Sequence, residues 1–262
     1  MTRTPNSLSA AKIVLALLLG LAGTTPAQGE IFRYLTSSDG DDPVLIVGDF
    51  EPPQTDKAPF LILLHGLGST RGEWAPLVAQ AAGRGWGTFA YDARGHGASR
   101  LTRRGSTVDY RDPSFGQNPL FWRKMVSDLT DAVTALNEQK KLSKKRMILV
   151  GASLGANVSL NVAALQADIP AAVLLSPGME YAGIAAEPAV KGLSRPALLL
   201  AAKPDAYAYS SVLRLLSSTG NNPNLRKMLL EQGGPQGAHG VQLFDGKLEK
   251  RILDWIRQQT AN

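Results

Sequence analysis

The chain has 262 residues, 44% of them hydrophobic, and its 28 basic and 22 acidic side chains give a formal charge of +6. This length and composition suit one globular α/β domain with a full core, and they exclude a wholly disordered chain. The sequence contains no cysteine, which excludes thiol nucleophiles, iron–sulfur clusters and disulfides.

The first 27 residues predict a secretory signal peptide. Arg3 and Lys12 precede an apolar run at 13–22, and small residues follow as far as Ala27. A basic segment, a short apolar segment and a small-residue cleavage zone are the three parts of such a peptide. The run is too short to cross the ~30 Å hydrocarbon core of a bilayer. We therefore expect an exported protein, periplasmic or secreted, without a stable membrane span after cleavage; an uncleaved N-terminal anchor is the alternative.

Residues 28–262 alternate between short apolar runs and helical patterns, with no domain linker. Two strand-like pieces, 31–35 and 44–47, come first. Continuous apolar runs, typical of strands buried on both faces, follow at 60–64, 87–91, 146–150, 171–175 and 197–201, with a weaker candidate at 227–231. Helical patterns occupy 74–82, 121–139, 154–166 and 248–258. This alternation predicts a single-domain, three-layer α/β/α sandwich around a mostly parallel, doubly wound sheet.

The segment 99–118 fits neither pattern and contains four arginines. A loop of this length in a compact domain is often functional. We expect it beside the crevice at the carboxyl ends of the strands, where open α/β sheets bind ligands. Its arginines would then either meet an acidic substrate or belong to a solvated loop.

The basic excess does not indicate a nucleic-acid partner. The densest basic cluster, at 140–146, lies between a predicted helix and a predicted strand. No aromatic side chain is interleaved with it, as a nucleic-acid groove would require. The three histidines are scattered, so we also expect no metal site and no cofactor, and a small-molecule substrate as the partner.

Ser153 lies in the stretch Gly151-Ala152-Ser153-Leu154-Gly155, after a predicted strand and before a predicted helix. This is the sequence context of a nucleophile elbow, a sharp turn in which side chains near the serine must be minimal. The helix N-terminus would face the developing anion, and the N–H of Leu154 would be one donor to it. Because the pattern is common by chance, a structural Gly-Ser turn is the alternative.

A nucleophilic serine needs a base and an acid that orients the base. Of the three histidines, only His239 follows Ser153 in the chain. Asp205 comes directly after a predicted strand, whereas Glu180 and Glu187 are weaker candidates for the acid. Ser153, Asp205 and His239 stand in the order nucleophile, acid, base.

Four stretches together resemble the α/β-hydrolase fold superfamily. They are LLHGLGS at 63–69, YDARGHGAS at 91–99, VGASLGAN at 150–157 and GAHG at 237–240. With the stretch PALLLAAKPD they cover most of residues 58–258, in the order that the superfamily has. The resemblance implies a serine hydrolase in which Ser153 is the nucleophile, Asp205 the acid and His239 the base.

The resemblance also implies that the backbone N–H of Leu67 is the second oxyanion donor, beside that of Leu154. His65 and the loop 92–97 would then shape loops instead of taking part in catalysis. Many members carry histidine or tyrosine where this chain has Ala152. Only about twenty residues separate Ser176 from the next strand, so we expect no large cap domain.

The sequence therefore predicts an exported hydrolase that cleaves a carboxylic ester through an acyl-enzyme. A serine peptidase or amidase of the same fold is the first alternative, and a non-catalytic binding relative is the second. The residues expected to line the pocket, besides the 99–118 loop, are Leu67, Leu154, Met179, Tyr181 and Tyr207.

Overall fold

A computed structural model describes residues 29–220, 222–231, 235 and 237–260. The predicted signal peptide, 1–27, lies outside the described residues. Within them, eight strands form one sheet: β1 (Glu30–Leu35), β2 (Leu45–Glu51), β3 (Phe60–Leu64), β4 (Gly87–Tyr91), β5 (Met147–Ala152), β6 (Ala171–Leu175), β9 (Ala197–Ala202) and β10 (Leu225–Leu230). Two short strands, β7 (Glu180–Tyr181) and β8 (Ile184–Ala185), pair as a separate hairpin.

The strand order is β1-β2-β4-β3-β5-β6-β9-β10. β1 pairs antiparallel with β2, and β2 pairs antiparallel with β4; all later neighbours in the sheet are parallel. Every residue of β3, β5 and β6 is buried. These strands are continuously apolar because helices cover both faces of the parallel part of the sheet.

The helices are α1 (Ala75–Ala82), α2 (Pro113–Gly116), α3 (Pro119–Gln139), α4 (Leu154–Leu165), α5 (Glu187–Gly192), α6 (Ala206–Ser217) and α7 (Lys247–Thr260). The apolar core consists of two clusters. One contains the buried side chains of α3, α4, α5 and α6, and the other contains those of α1 and α7. The sheet lies between these layers, which confirms the predicted three-layer, mostly parallel architecture. No helix in the described part of the chain is long and apolar enough to cross a membrane.

Several elements differ in their bounds from the sequence-based prediction. β5 continues two residues beyond 146–150, to Ala152, and so leads directly into the turn that holds Ser153. α3 begins at Pro119 because Asn118 caps it, accepting the N–H of Leu120 at 2.9 Å. α6 was not predicted. The segment 99–118 is mostly irregular, but contains the single turn α2.

Buried ion pairs fix the loop that follows β4. Arg94 is 2% exposed, and its Nε donates to Asp128 Oδ2 of α3 at 2.6 Å. Its Nη2 donates to Asp39 Oδ2 at 3.0 Å, and Lys124 Nζ donates to the other oxygen of Asp39 at 2.7 Å. Burial acts to raise the pKa of Asp39, but these hydrogen bonds outweigh that effect and hold the pKa well below its usual range. The network joins the β1–β2 connection, the β4 loop and α3.

Replacing Asp128→Asn is expected to lower the free energy of unfolding by about 3 kcal/mol, because it leaves the buried Arg94 without its principal counter-charge. Urea unfolding followed by circular dichroism measures the change. Glu187→Gln, which breaks the exposed pair with Lys191, is the control and should leave the midpoint nearly unchanged. Equal effects of the two substitutions would contradict a stabilising role for the Arg94 network.

Candidate active site

Ser153 occupies a strained turn between β5 and α4, with φ 54° and ψ −120°. A side chain at Gly151 would place its Cβ 2.1 Å from the carbonyl oxygen of Gly155, and one at Gly155 would lie 2.3 Å from that of Leu64. Only glycine fits at either position. A non-glycine residue in the left-handed region is costly and points to a functional constraint. The turn has the geometry that the sequence predicts for a nucleophile elbow.

The structure brings Asp205 and His239 together. Asp205 follows β9, and His239 precedes a short 3₁₀ helix, Gly240–Leu243. His239 Nδ1 donates to Asp205 Oδ2 at 2.6 Å, because a carboxylate can only accept. In the neutral ring, this hydrogen bond places the proton on Nδ1 and leaves Nε2 as the acceptor, as a general base requires. The other acid candidates lie elsewhere: Glu187 pairs with Lys191, and Glu180 is exposed.

Ser153 and His239 line one cavity of about 240 Å³ at the carboxyl ends of the strands. No hydrogen bond joins these two side chains in the described structure. Such bonds are often long until substrate binds, so the geometry is compatible with a nucleophile–base pair. The cavity is also lined by Gly66, Leu67, Gly68, Ser69, Glu73, Ala152, Gly240, Val241 and Gln242.

The two predicted oxyanion donors are backbone groups close to the serine. Leu154 is the first residue of α4, so its N–H has no acceptor within the helix. The N–H of Leu67 likewise has no acceptor among the described residues. A Cβ on Gly66 would lie 3.2 Å from the Cβ of Ser153, so the loop after β3 contacts Ser153. The absence of an acceptor for either N–H group among the described residues is compatible with the predicted role.

The other two histidines hold loops by hydrogen bonds to the backbone. His65 Nδ1 donates to the carbonyl oxygen of Gly66 at 2.7 Å, and its Nε2 accepts the N–H of Ala93 at 2.9 Å. His96 Nε2 accepts the N–H of Gly68 at 3.2 Å. Burial lowers the pKa of both rings, that of His96 to about 4. Both rings are neutral at physiological pH and hold the loop 65–69 by these hydrogen bonds. Because Leu67 is a predicted oxyanion donor, this segment is called the oxyanion loop below.

The 99–118 loop lies beside the site, as predicted. The ring of Tyr110 stacks on that of His96, with centroids 4.0 Å apart. Its hydroxyl would be 3.5 Å from a Cβ on Gly68. Arg100 and Arg111 both pair with Asp109 of the same loop. The one carboxylate of Asp109 thus holds both arginines and offsets one of their two positive charges.

Ser176, which was not among the predicted site residues, holds the loop that contains His239. It is fully buried at the end of β6 with φ 50°, and its Oγ accepts the N–H of Gly240 at 2.9 Å. Its carbonyl oxygen accepts the hydroxyl of Tyr181 at 3.3 Å. The only sequence signal is its place: a polar residue directly after a strand, at the edge where parallel strands end.

Tyr181, on the β7–β8 hairpin, packs against the catalytic candidates. Its ring lies edge-on to that of His239, with centroids 6.1 Å apart, and edge-on to that of Tyr207, with centroids 5.6 Å apart. Burial and the nearby Asp205 carboxylate raise the pKa of Tyr181. Of the other predicted pocket residues, Leu154 is buried, and Met179 packs against the core. The segment between β6 and β9 forms only this hairpin and α5, so no large cap domain is inserted there.

A family profile described as serine aminopeptidase, S33, matches residues 55–227, more than half of the chain. The chain belongs to this family of α/β hydrolases. Its fold is shared with solved hydrolases. The esterase Pf2001 of Pyrococcus furiosus superposes with a TM-score of 0.68 at 17% identity, covering 88% of this chain and 92% of the esterase. A dienelactone hydrolase from Anabaena variabilis gives a TM-score of 0.64 at 15% identity, covering 88% and 97%.

One curated relative is similar in sequence. Protein phosphatase methylesterase 1 of Kluyveromyces lactis is 30% identical over 125 residues, which are 43% of this chain and 29% of the relative. The chain thus matches less than a third of that protein's length. Together with the family and the fold, this similarity supports a hydrolase.

Proposed function

We propose that this protein is an exported serine hydrolase that cleaves a carboxylic ester with Ser153, His239 and Asp205. The observation that carries the proposal is the 2.6 Å hydrogen bond from His239 Nδ1 to Asp205 Oδ2, beside a strained serine in the same cavity. This arrangement favours a catalytic protein over a non-catalytic binding relative.

In the proposed acylation step, Ser153 Oγ attacks the acyl carbon while His239 Nε2 takes its proton. The carbonyl electrons move onto oxygen, and the N–H groups of Leu67 and Leu154 hold the resulting oxyanion. Donors of this kind are typically worth about 3 kcal/mol each to the transition state. When the carbonyl re-forms, the bond to the leaving group breaks and Nε2–H protonates the departing oxygen.

Deacylation repeats these steps with water as the nucleophile. His239 takes a proton from water, which attacks the acyl carbon of the Ser153 ester. The acid product leaves and Oγ recovers its proton. Asp205 stabilises the imidazolium that forms in each half-reaction. The proposed cycle uses only groups of the protein, without a metal or cofactor.

The proposal also specifies which type of bond is cleaved, an ester and not an amide. The named structural neighbours include an esterase and a lactone hydrolase, and the curated relative is named a methylesterase. These names favour an ester. The family description, serine aminopeptidase, favours an amide or peptide bond as the second candidate, since the same acyl-enzyme chemistry serves both.

A fluorophosphonate probe should label the protein, and Ser153→Ala should abolish the labelling because Oγ is the attacking atom. Asp205→Asn and His239→Ala should each reduce turnover by about 10⁴-fold, the effect typical of disrupted triads. Gel fluorescence and a chromogenic ester assay measure the two effects. Glu180→Gln is the matched control. Labelling of Ser153→Ala, or near-normal turnover by Asp205→Asn, would contradict the assignment.

A panel of chromogenic esters of increasing acyl length, with the corresponding anilides, distinguishes the two candidates. We expect the kcat/KM for the best ester to exceed that for the matching anilide by orders of magnitude, since an alcohol leaves more readily than an amine. Comparable kcat/KM values, or hydrolysis of anilides alone, would favour the peptidase or amidase.

The proposal of export rests on residues 1–27. Cells that express the full chain should export a product that begins at Gln28, either into the periplasm or into the medium. N-terminal sequencing of the exported protein measures where it begins. Ala27→Phe removes the small residue before the cleavage point and should leave the peptide attached. Recovery of the uncleaved wild-type chain in the cytoplasm would contradict export.

A further inference from the structure

The cavity beside Ser153 contains a carboxylate that the proposed reaction does not use. Glu73 belongs to the 3₁₀ turn Arg71–Trp74 before α1, and its half-buried side chain lines the cavity. Apart from the titratable His239, it is the one ionisable side chain among the described residues of the lining. The rest of the lining is backbone, small side chains, Leu67, Val241 and Gln242.

This cavity lies where a leaving group must be. His239 delivers the proton to the departing atom, so that atom has to come within hydrogen-bond reach of Nε2. The cavity is bounded by His239 and the three residues that follow it, together with the oxyanion loop. An acyl carbon at Ser153 would therefore place its leaving group, and not only its oxyanion, close to Glu73.

No lysine or arginine among the described residues forms an ion pair with Glu73; burial raises the pKa of its carboxyl, and its two hydrogen bonds and the nearby His239 act to lower it. Its Oε1 accepts the N–H of Gly66 at 3.3 Å, and its Oε2 accepts the hydroxyl of Ser69. A carboxylate offers about four acceptor positions, so about half remain for a ligand. Arg71, on the same turn, pairs instead with Asp49, at 2.9 Å, and with Asp92.

We propose that Glu73 makes this cavity a binding site for a cationic leaving group, such as the alkylammonium alcohol of an amino-alcohol ester. The inference rests on the proposed hydrolase function and names the substrate class of the same site. A partly buried carboxylate attracts a cation more strongly than one in water, because solvent and salt screen it less. It also repels an anionic leaving group of the same shape.

Butyrylcholine and 3,3-dimethylbutyl butanoate test the inference, because they share an acyl group and a shape and differ in one charge. Each kcat/KM is divided by the rate of alkaline hydrolysis of the same ester, which removes the difference in intrinsic reactivity. The wild type should prefer the choline ester by about tenfold, as expected for one additional charge pair. Tetramethylammonium should inhibit competitively.

Glu73→Gln keeps the size of the side chain and removes the charge. Its amide oxygen can accept the N–H of Gly66, and its NH₂ group can donate to the hydroxyl oxygen of Ser69. The variant should lose the preference for the choline ester, so that the two corrected kcat/KM values become equal, since the amide makes no charge pair with either ester. Glu180→Gln makes the same charge change on the exposed strand β7 and should keep the preference. Circular dichroism and fluorophosphonate labelling report whether each variant is folded.

An equal loss for both esters in folded Glu73→Gln would overturn the inference, because Glu73 would then only anchor the oxyanion loop. A wild type that hydrolyses both esters without a charge preference would overturn it too, even if the variant failed to fold. A folded wild type that hydrolyses neither ester and resists the fluorophosphonate would instead contradict the proposed function itself. The two failures are therefore distinguishable.

Discussion

The close approach of two backbone segments governs the site. The turn after β5 lies against the end of β3, where a Cβ on Gly155 would come within 2.3 Å of the carbonyl oxygen of Leu64. Because glycine permits this contact, the loop that begins at His65 adjoins Ser153. Ser153 and the backbone N–H of Leu67, in the loop after a different strand, therefore line the same small cavity. The rest of the site is arranged around that contact.

Three different kinds of polar interaction hold the segments around this contact in place. His65 and His96 are neutral and hold the oxyanion loop through backbone hydrogen bonds. Ion pairs of Arg94 fix the loop that carries His96 to α3. On the opposite side, the hydroxyl of Ser176 holds the backbone of Gly240 next to His239. These histidine, arginine and serine side chains are of types that often take part in catalysis. Here they position the few atoms that face the cavity.

The sequence was sufficient for the parts of the molecule that depend on local pattern. Strands buried on both faces are apolar at every position, so the runs at 60–64 and 171–175 could be recognised without a structure. The glycines around Ser153 and the position of Asp205 directly after a strand carried similar information. At each of these places, one or two residue types are enough to indicate what the backbone requires.

The lining of the cavity could not be predicted in the same way. Glu73 lies in a polar turn, and nothing local shows that its carboxylate reaches Gly66 or that Arg71 pairs elsewhere. Ser176 becomes notable only once the loop of His239 is known to lie beside it. α6 has a start signal in Asp205, which caps it by accepting the N–H of Ala208 at 3.3 Å; the helix was missed because the sequence analysis considered Asp205 only as the acid. The other two features depend on contacts between segments that are distant in the sequence, and the spacing of residues along the chain does not reveal those contacts.

The order of the elements along the chain has a consequence for synthesis. Ser153 follows β5 and Asp205 follows β9, so both come before β10 in the chain, whereas His239 comes after it. A nascent polypeptide completed only as far as β10 would contain the proposed nucleophile and acid but lack the proposed base. On the proposed mechanism, the serine therefore becomes reactive only late during translation, after the parallel strands of the sheet have been made.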